Sequence, residues 1–344
     1  MKKVVSIRDI AEMSNVSVST VSRILNNTGR HSKETEKKVR EAIALKKYHP
    51  SILAKGLRTN TTHSIGILVP DITSEFFSSI TLSIQNTLFE RSFMTLICNT
   101  NEQPSIQTKH LEMLRNNRVS GIIFISGENI TEEDLSDGIP KVFVDRLPWN
   151  AKSQDIISIE VDNFTGGLLA TEELLNSGCK RIVTLFEGRG LSTQVARYSG
   201  YLQAYQNREL QVAHELYQPV KQISLSEGYE VTKRLIKSGV SFDGIFCYCD
   251  LLACGAMHAL TEAGISVPGE VKIMGYDNVS PSRFYKPSIS TIEQPVWKMG
   301  SLATELILQL QDEKEPVKSH HLLPVKLIRR ETTCGSKTAE VQNE

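Results

Sequence analysis

No apolar run in these 344 residues approaches the ~18 that a membrane-spanning helix requires. The opening MKK carries the charge of a secretory leader, but Arg8, Asp9 and Glu12 interrupt it before an apolar segment forms, so the expected location is the cytoplasm. Cysteine is scarce. The six, at 98, 179, 247, 249, 254 and 334, lack the paired spacing of a disulfide framework. Cys247, Cys249 and Cys254 cluster as C-x-C-x4-C, without the C-x2-C knuckle or partner pair of a zinc site, so buried thiols are expected. Catalytic signatures are missing too. FEGRGLSTQ holds Gly188 and Gly190 but not the third glycine of a dinucleotide loop, and there is no Walker sequence, no G-x-S-x-G elbow and no histidine pattern beside the aspartates.

Net charge is also absent, since 39 Lys+Arg balance 39 Asp+Glu. The balance hides a division of labour: residues 1–60 hold 13 Lys+Arg against 5 Asp+Glu, and the remainder 26 against 34. A basic head on an acidic body suits a nucleic-acid-binding arm joined to a domain with other work. The length allows two or three units.

Within the head, SIRDIAEMS offers Ser6 as N-cap and sets Ile7, Ile10 and Ala11 on one face. SNV then turns the chain into SVSTVSRILNN, capped by Ser17, where Val18, Val21, Ile24 and Leu25 fall on one helical face. Ser19, Thr20, Ser22, Arg23 and Asn26 are left facing outward. Short hydroxyl and amide side chains beside one guanidinium can approach phosphates and base edges, whereas a solvated helix would carry Glu and Lys. SKETEKKVREAIALKKY, capped by Ser32, supplies a third helix through Val39, Ala42 and Ile43. The segment ILAKGLRTNTTH reads as a linker, with Gly56 weakening any helix in it by about 1 kcal/mol relative to Ala.

From Ser64 the pattern changes to SIGILVP, FMTLIC, GIIFIS, KVFVD, ISIEVD, RIVTLF, GIFCYCD and VKIMGYD separated by amphipathic stretches, which predicts parallel sheets with helices on both faces. STIEQP, a helix through Gln311 and HLLPVKLIRR complete the core, and residues 335–344 read as a disordered tail. Several runs end in aspartate: Asp71, Asp145, Asp162, Asp250 and Asp277. Open parallel sheets bind ligands beyond the carboxyl ends of their strands, so these carboxylates gather at one rim; helix N-capping is the competing role, and Asp162 before Asn163 has the look of a cap. Phe76, Phe77, Arg146, Arg197 at the head of a helix, and Gln294 join them. Aromatic faces, carboxylates and arginines together suit a polyol, although core packing also accounts for the Phe pair.

SIRDIAEMSNVSVSTVSRILNN, YHPSILAKGLR, SIGILVPDITSEFF, VDNFTGG and IMGYDNVSPSRFYKPSISTIEQP, taken in that order, resemble the motifs of the lactose/galactose-repressor family of bacterial transcription factors, from about residue 5 to 333. The resemblance implies an all-α helix-turn-helix headpiece (1–49), a hinge helix and linker (50–63), and an α/β two-lobed core with parallel sheets like periplasmic sugar-binding proteins (64–334). It also implies a homodimer on a palindromic operator, a small sugar effector and no cofactor. By position, Val18, Ser19, Thr20 and Arg23 match the family's base readers, Ser17 stands beside them and Asn26 lies near phosphate. Ala54, Lys55 and Leu57 match hinge residues that enter the minor groove, Leu57 as the wedge that kinks the duplex. Gly56 stands where relatives often have a better helix former, which implies a hinge that depends on DNA for its order.

In the core, Phe76, Phe77, Asp145, Arg146, Arg197, Asp277 and Gln294 resemble the ribose-binding branch, and Asn101 matches an asparagine of that pocket. Ser74 and Cys249 stand where the ribose pocket has asparagines, and no third aromatic is found near Ile223. Other segments resemble sucrose-operon repressors. The expected function is therefore a sugar-responsive repressor without catalysis, with ribose as first effector and sucrose or fructose as alternative. A sugar-transport protein is the rival from another class, and a purine-corepressed regulator the rival within the family.

Overall fold

The computed structural model describes residues 5–25, 27–48, 62–148, 156–311 and 318–334. Chain contacts divide it into two compact units between His63 and Ser64. Asn26, the hinge residues Ala54, Lys55 and Leu57, and the tail from 335 lie outside the described residues.

The first unit is built from α1 (Ile7–Met13), α2 (Val18–Leu25) and α3 (Lys33–Lys46). Its starts are written in hydroxyls: Ser6 and Asp9 form a reciprocal capping box on α1, Ser17 Oγ accepts the Thr20 amide, and Ser32 accepts that of Thr35. Ile10, Ala11, Val21, Ile24, Val39 and Ala42 close the small core, with Ile7, Leu25 and Ile43 packed at its edge. Val18 departs from expectation. It is 39% exposed, because the first residue of α2 has no preceding turn to pack beneath, and only Val21 and Ile24 of the apolar stripe are fully buried.

The second unit holds two parallel sheets. The first sheet runs β11-β5-β4-β3-β1-β2, from β1 (Ser64–Val69), β2 (Met94–Asn99), β3 (Gly121–Phe124), β4 (Lys141–Val144), β5 (Ile157–Val161) and β11 (His320–Leu323). Helices α4 (Glu75–Glu90) and α12 (Val296–Gln309) cover one face of it around Ile67, Ile80, Ile123, Val144 and Met299. Helix α5 (Pro104–Asn116) covers the other, and the short α6 (Glu132–Ser136) follows β3. The second sheet runs β7-β6-β8-β9, from β6 (Ile182–Glu187), β7 (Tyr217–Val220), β8 (Gly244–Cys247) and β9 (Lys272–Met274). It is covered by α7 (Asn163–Asn176) and α8 (Ser192–Gln206) on one face, and by α9 (Leu225–Lys237) and α10 (Asp250–Glu262) on the other. The second unit is thus a two-lobed α/β core with parallel sheets, as the sequence pattern predicts.

The chain passes between lobes three times: after β5 at Asp162, after β10 (Thr291–Glu293) at Gln294 and Pro295, and between β11 and β12 (Lys326–Ile328) at Pro324. HLLPVKLIRR was expected as one closing segment, but it is divided: Pro324 has no N–H to continue a ladder, so β11 joins the first sheet and β12 pairs antiparallel with β10. The five cysteines from Cys98 to Cys254 are buried. Among the described residues, no helix is long and apolar enough to cross a membrane.

Helices α7 and α8 pack backbone to backbone where a side chain would not fit. A Cβ on Gly200 would lie 2.1 Å from the Phe164 carbonyl oxygen and 2.5 Å from the Leu168 nitrogen. Gly200→Ala must therefore push α8 off α7, at a cost of about 1–3 kcal/mol. Urea denaturation of the full chain measures it, and an unchanged midpoint would refute the close-packing argument.

Candidate functional site

On the headpiece, Ser17, Val18, Ser19 and Arg23 are exposed and Thr20 is half-buried along one side of α2. The hydroxyls of Ser19 and Thr20 lie 2.7 and 2.9 Å from Ser17 Oγ, so the cap also orders the polar face. Arg23 lays its stem along Gly29, where a Cβ would come within 3.2 Å of its Cδ, while the residue as a whole stays exposed.

In the second unit a cavity of about 670 Å³ opens at the carboxyl ends of both sheets. The first lobe contributes Asp71, Ser74, Phe76, Phe77, Asn101, Glu102, Asp145 and Arg146; the second contributes Glu187, Gln194, Arg197, Tyr248, Cys249 and Asp277 among others. Nine of the ten residues expected to hold an effector meet here. Gln294 is the correction: it does not line the cavity but sits in the crossover behind it, donating from Nε2 to Asp277 Oδ1 at 2.7 Å. Arg197 also differs, because α8 begins at Ser192 and puts it on the second turn, not at the helix head.

The strand-ending aspartates separate by role. Asp71, Asp145 and Asp277 reach the cavity. Asp162 caps α7 by accepting from the Thr165 amide at 2.9 Å, as its sequence suggested. Asp250 is fully buried inside the second lobe, where it accepts from the Thr291 hydroxyl at 2.6 Å and the Val279 amide at 2.9 Å, and burial pushes its pKa up to about 8. Asp145 and Asp277 have φ of 72° and 103°, left-handed backbone that a side chain rarely adopts and that clusters at ligand sites.

Arg197 is buried yet satisfied. Nε donates to Asn163 Oδ1 at 2.8 Å and Nη1 to the Tyr248 carbonyl at 2.5 Å, while the guanidinium lies 3.6 Å from the centre of the Tyr276 ring. Phe76 and Phe77 meet edge to face at 5.2 Å and serve both the core and the cavity wall. Arg146 sits 5.4 Å from the Phe77 ring and 3.6 Å from Asp145. Burial raises the pKa of Asp145, and pushes that of Asp277 up to about 7 against the pull of Arg197 and Gln294.

Six buried polar atoms in and around this cavity find no hydrogen-bond partner within the chain, although two of them stand in longer ion pairs: Asp145 Oδ1, Glu187 Oε2, Glu128 Oε1, Gln294 Oε1, Arg146 Nε and the Tyr248 hydroxyl. Of the four residues among these that line the cavity, Asp145 and Glu187 offer carboxylate oxygens, Arg146 an N–H and Tyr248 a hydroxyl, so the cavity suits a ligand that both donates and accepts hydrogen bonds. Sequence reasoning missed Glu102, Glu187, Gln194 and Tyr248. Tyr248 lies inside the GIFCYCD run that reads simply as strand, and Glu187 looks like the polar end of RIVTLF. Among the described residues, no group of three or more His, Cys, Asp or Glu has the arrangement of a metal site.

Residues 6–51 match the model of the bacterial regulatory proteins of the lacI family, and residues 171–333 that of a periplasmic binding protein-like domain. A ribose operon repressor from Halalkalibacterium halodurans is 33% identical over 336 residues, spanning 97% of this chain and 99% of that protein. The chain belongs to the LacI family. A transcriptional repressor PurR from Histophilus somni is similar to this LacI-family chain to nearly the same degree, 32% over 330 residues, covering 93% and 96%. Among solved structures, the lac repressor dimer bound to operator and an anti-inducer superposes with a TM-score of 0.85 at 26% identity, covering 96% of this chain and 99% of that one. A LacI-family regulator from Enterococcus faecium with bound ribose gives 0.70 at 28% identity, covering 78% and 98%. The LacI-family chain is a DNA-binding transcriptional regulator and not an enzyme.

The raised pKa of Asp277 has a defined sign in stability. The folded chain holds this proton longer than the unfolded one, so the contribution is complete below the unfolded value near 3.8 and is lost as pH rises through about 7. Asp277→Asn stays neutral throughout. The ligand-free variant should therefore be more stable than its LacI-family parent at about pH 8, with the difference vanishing toward about pH 4. Thermal melts across that range test this, and a constant difference at every pH would contradict it.

Proposed function

We propose that this regulator represses a sugar-utilisation operon and that a small free sugar is its effector, ribose first and sucrose or its fructose portion second. The carrying observation is the cavity's acceptor-rich lining with Arg146, Arg197 and two phenylalanine faces, which suits a neutral ring rich in hydroxyls. The ribose operon repressor and the ribose-bound regulator among its relatives support the same choice. A sugar phosphate is disfavoured, because Asp71, Glu75, Glu102, Asp145, Glu187 and Asp277 outnumber the two arginines of the wall.

Residues 1–49 are the DNA-reading headpiece, 50–63 the hinge helix and linker, 64–334 the effector core and 335–344 a tail. Val18, Ser19, Thr20 and Arg23 read bases of a palindromic operator in the major groove, with Ser17 beside them and Asn26 near phosphate, while Ala54, Lys55 and Leu57 enter the minor groove. The protein works in the cytoplasm as a homodimer. Exposed Leu82 and Phe89 on α4, with Met94 and Ile97 on the edge strand β2, give that dimer an apolar surface to bury. Sugar binding biases lobe closure, and through it the order of the hinges on DNA.

Arg23→Ala should relax base preference at one operator position and cost roughly 1–3 kcal/mol there. Binding measured against every single-base operator variant checks this, and a uniform loss across all of them would make Arg23 a phosphate contact instead.

At about pH 8, where the Asp277 carboxyl is ionised, Asp277→Asn should weaken ribose binding by about ten- to a hundredfold, since a hydrogen bond to a charged group is then lost. Operator affinity without sugar should match the parent. Calorimetry with ribose, sucrose and a purine base decides the effector class: tight purine binding with no heat from either sugar would overturn the sugar reading in favour of a purine-controlled regulator.

A further inference from the structure

The sugar site leaves one charged cluster unexplained, and that cluster spans the two lobes. Glu102 follows β2 in the first lobe, and it and Asn101 both adopt left-handed backbone, with φ of 56° and 50°. From this loop Glu102 Oε1 accepts from Arg146 Nη1 at 2.9 Å, and Oε2 accepts from Arg189 Nη2 at 2.6 Å. Arg189 belongs to the second lobe, in the turn after β6, where its Nε donates to Glu187. Glu128 of the first lobe faces both arginines at 3.7 and 3.8 Å. One carboxylate is thus shared by an arginine from each lobe, and one of those arginines, Arg146, also lines the cavity.

We infer that Glu102 and Arg189 form a charged clasp that holds the cleft closed and sets Arg146 for the effector. They act as positioning residues for Arg146. Exposed pairs contribute little on their own, and Glu102 and Arg189 are each about a third exposed. The far ends of this network differ, since the side chains of Arg146 and Glu187 are 5% and 4% exposed and their geometry is fixed by packing. The Glu102–Arg189 contact exists only while the lobes are together, so it adds to the closed form alone. Raising the closed fraction raises apparent effector affinity in proportion. A second inter-lobe contact works in the same direction: the Ser280 amide and hydroxyl donate to Glu75 Oε1 at 2.8 and 2.7 Å.

The inference rests on the sugar reading through Arg146 and through Glu102, both of which line the cavity, and the test separates the two. Glu102→Gln, Arg189→Gln and the double variant are made in the full chain. Without ligand, amide hydrogen exchange should rise at both cleft walls, residues 71–77 and 190–197, whichever lobe carries the change. Ribose affinity should fall roughly three- to tenfold in each single variant, with the double falling by less than the product of the singles, because the Glu102–Arg189 contact is lost in both. Faster exchange only at the altered wall, unchanged exchange, or additive losses in the double variant would each overturn the clasp. A parent that does not bind ribose defeats the choice of sugar and leaves the exchange comparison to decide the clasp.

Discussion

The second lobe depends on one buried cation. A guanidinium taken out of water is costly unless its hydrogens are used, and Arg197 uses them on groups from three different elements: Asn163 at the start of α7, the carbonyl of Tyr248 after β8, and the ring of Tyr276 after β9. Asn163 also accepts from the Tyr276 hydroxyl at 3.3 Å, which closes the set. The helices and the sheet must therefore be in register before the charge is satisfied. The same arginine lines the cavity, so the pocket is part of the lobe's polar core and its geometry is set before any ligand arrives.

The other wall follows a complementary logic. Its aspartate sits in left-handed backbone, its carboxylate has an oxygen with no hydrogen-bond partner in the chain, and the neighbouring Arg146 has an Nε with none. Each unpaired buried group costs about 1–3 kcal/mol, as does each strained residue, and a sugar offering hydroxyls to both lobes relieves several such costs together. That relief is largest when the lobes are closed. Differential affinity of this kind is what lets a ligand shift a conformational equilibrium.

How much of this was legible depended on whether a feature was local. SIGILV is buried at all six positions, and a strand covered on both faces reads as a continuous apolar run. YQPV, the edge strand β7, carries Pro219 and polar residues and gave no such signal. The caps at Ser6, Ser17, Ser32 and Asp162 were readable because each bonds three residues ahead. Strand-ending aspartates were readable as a set, but what separates Asp250 from Asp277 is a neighbouring loop: Val279 and Thr291 reach Asp250 and turn it inward. The cluster of Glu102, Glu128, Glu187 and Arg189 gave no pattern at all, since it joins loops from three strands of two sheets. Both the rim reading and the family resemblance brought Gln294 into the pocket set, but sequence position does not carry depth, and the residue lies one layer back.

That depth gives Gln294 its consequence for signalling. It stands in one of the three crossovers between lobes among the described residues, and its amide holds the carboxylate of Asp277. Asp162, in another crossover, ties the chain leaving β5 to the first turn of α7, whose first residue, Asn163, holds Arg197. Of the two groups proposed to grip the sugar from the second lobe, Asp277 is bonded to a crossover residue, and Arg197 is bonded to Asn163, the neighbour of one. On the proposed sugar reading, a ligand that fixes Asp277 and Arg197 against the first lobe also fixes the crossovers, without a separate relay through the lobe interior. Two states of the crossovers, biased by one set of hydrogen bonds, are sufficient for linkage between sugar and operator.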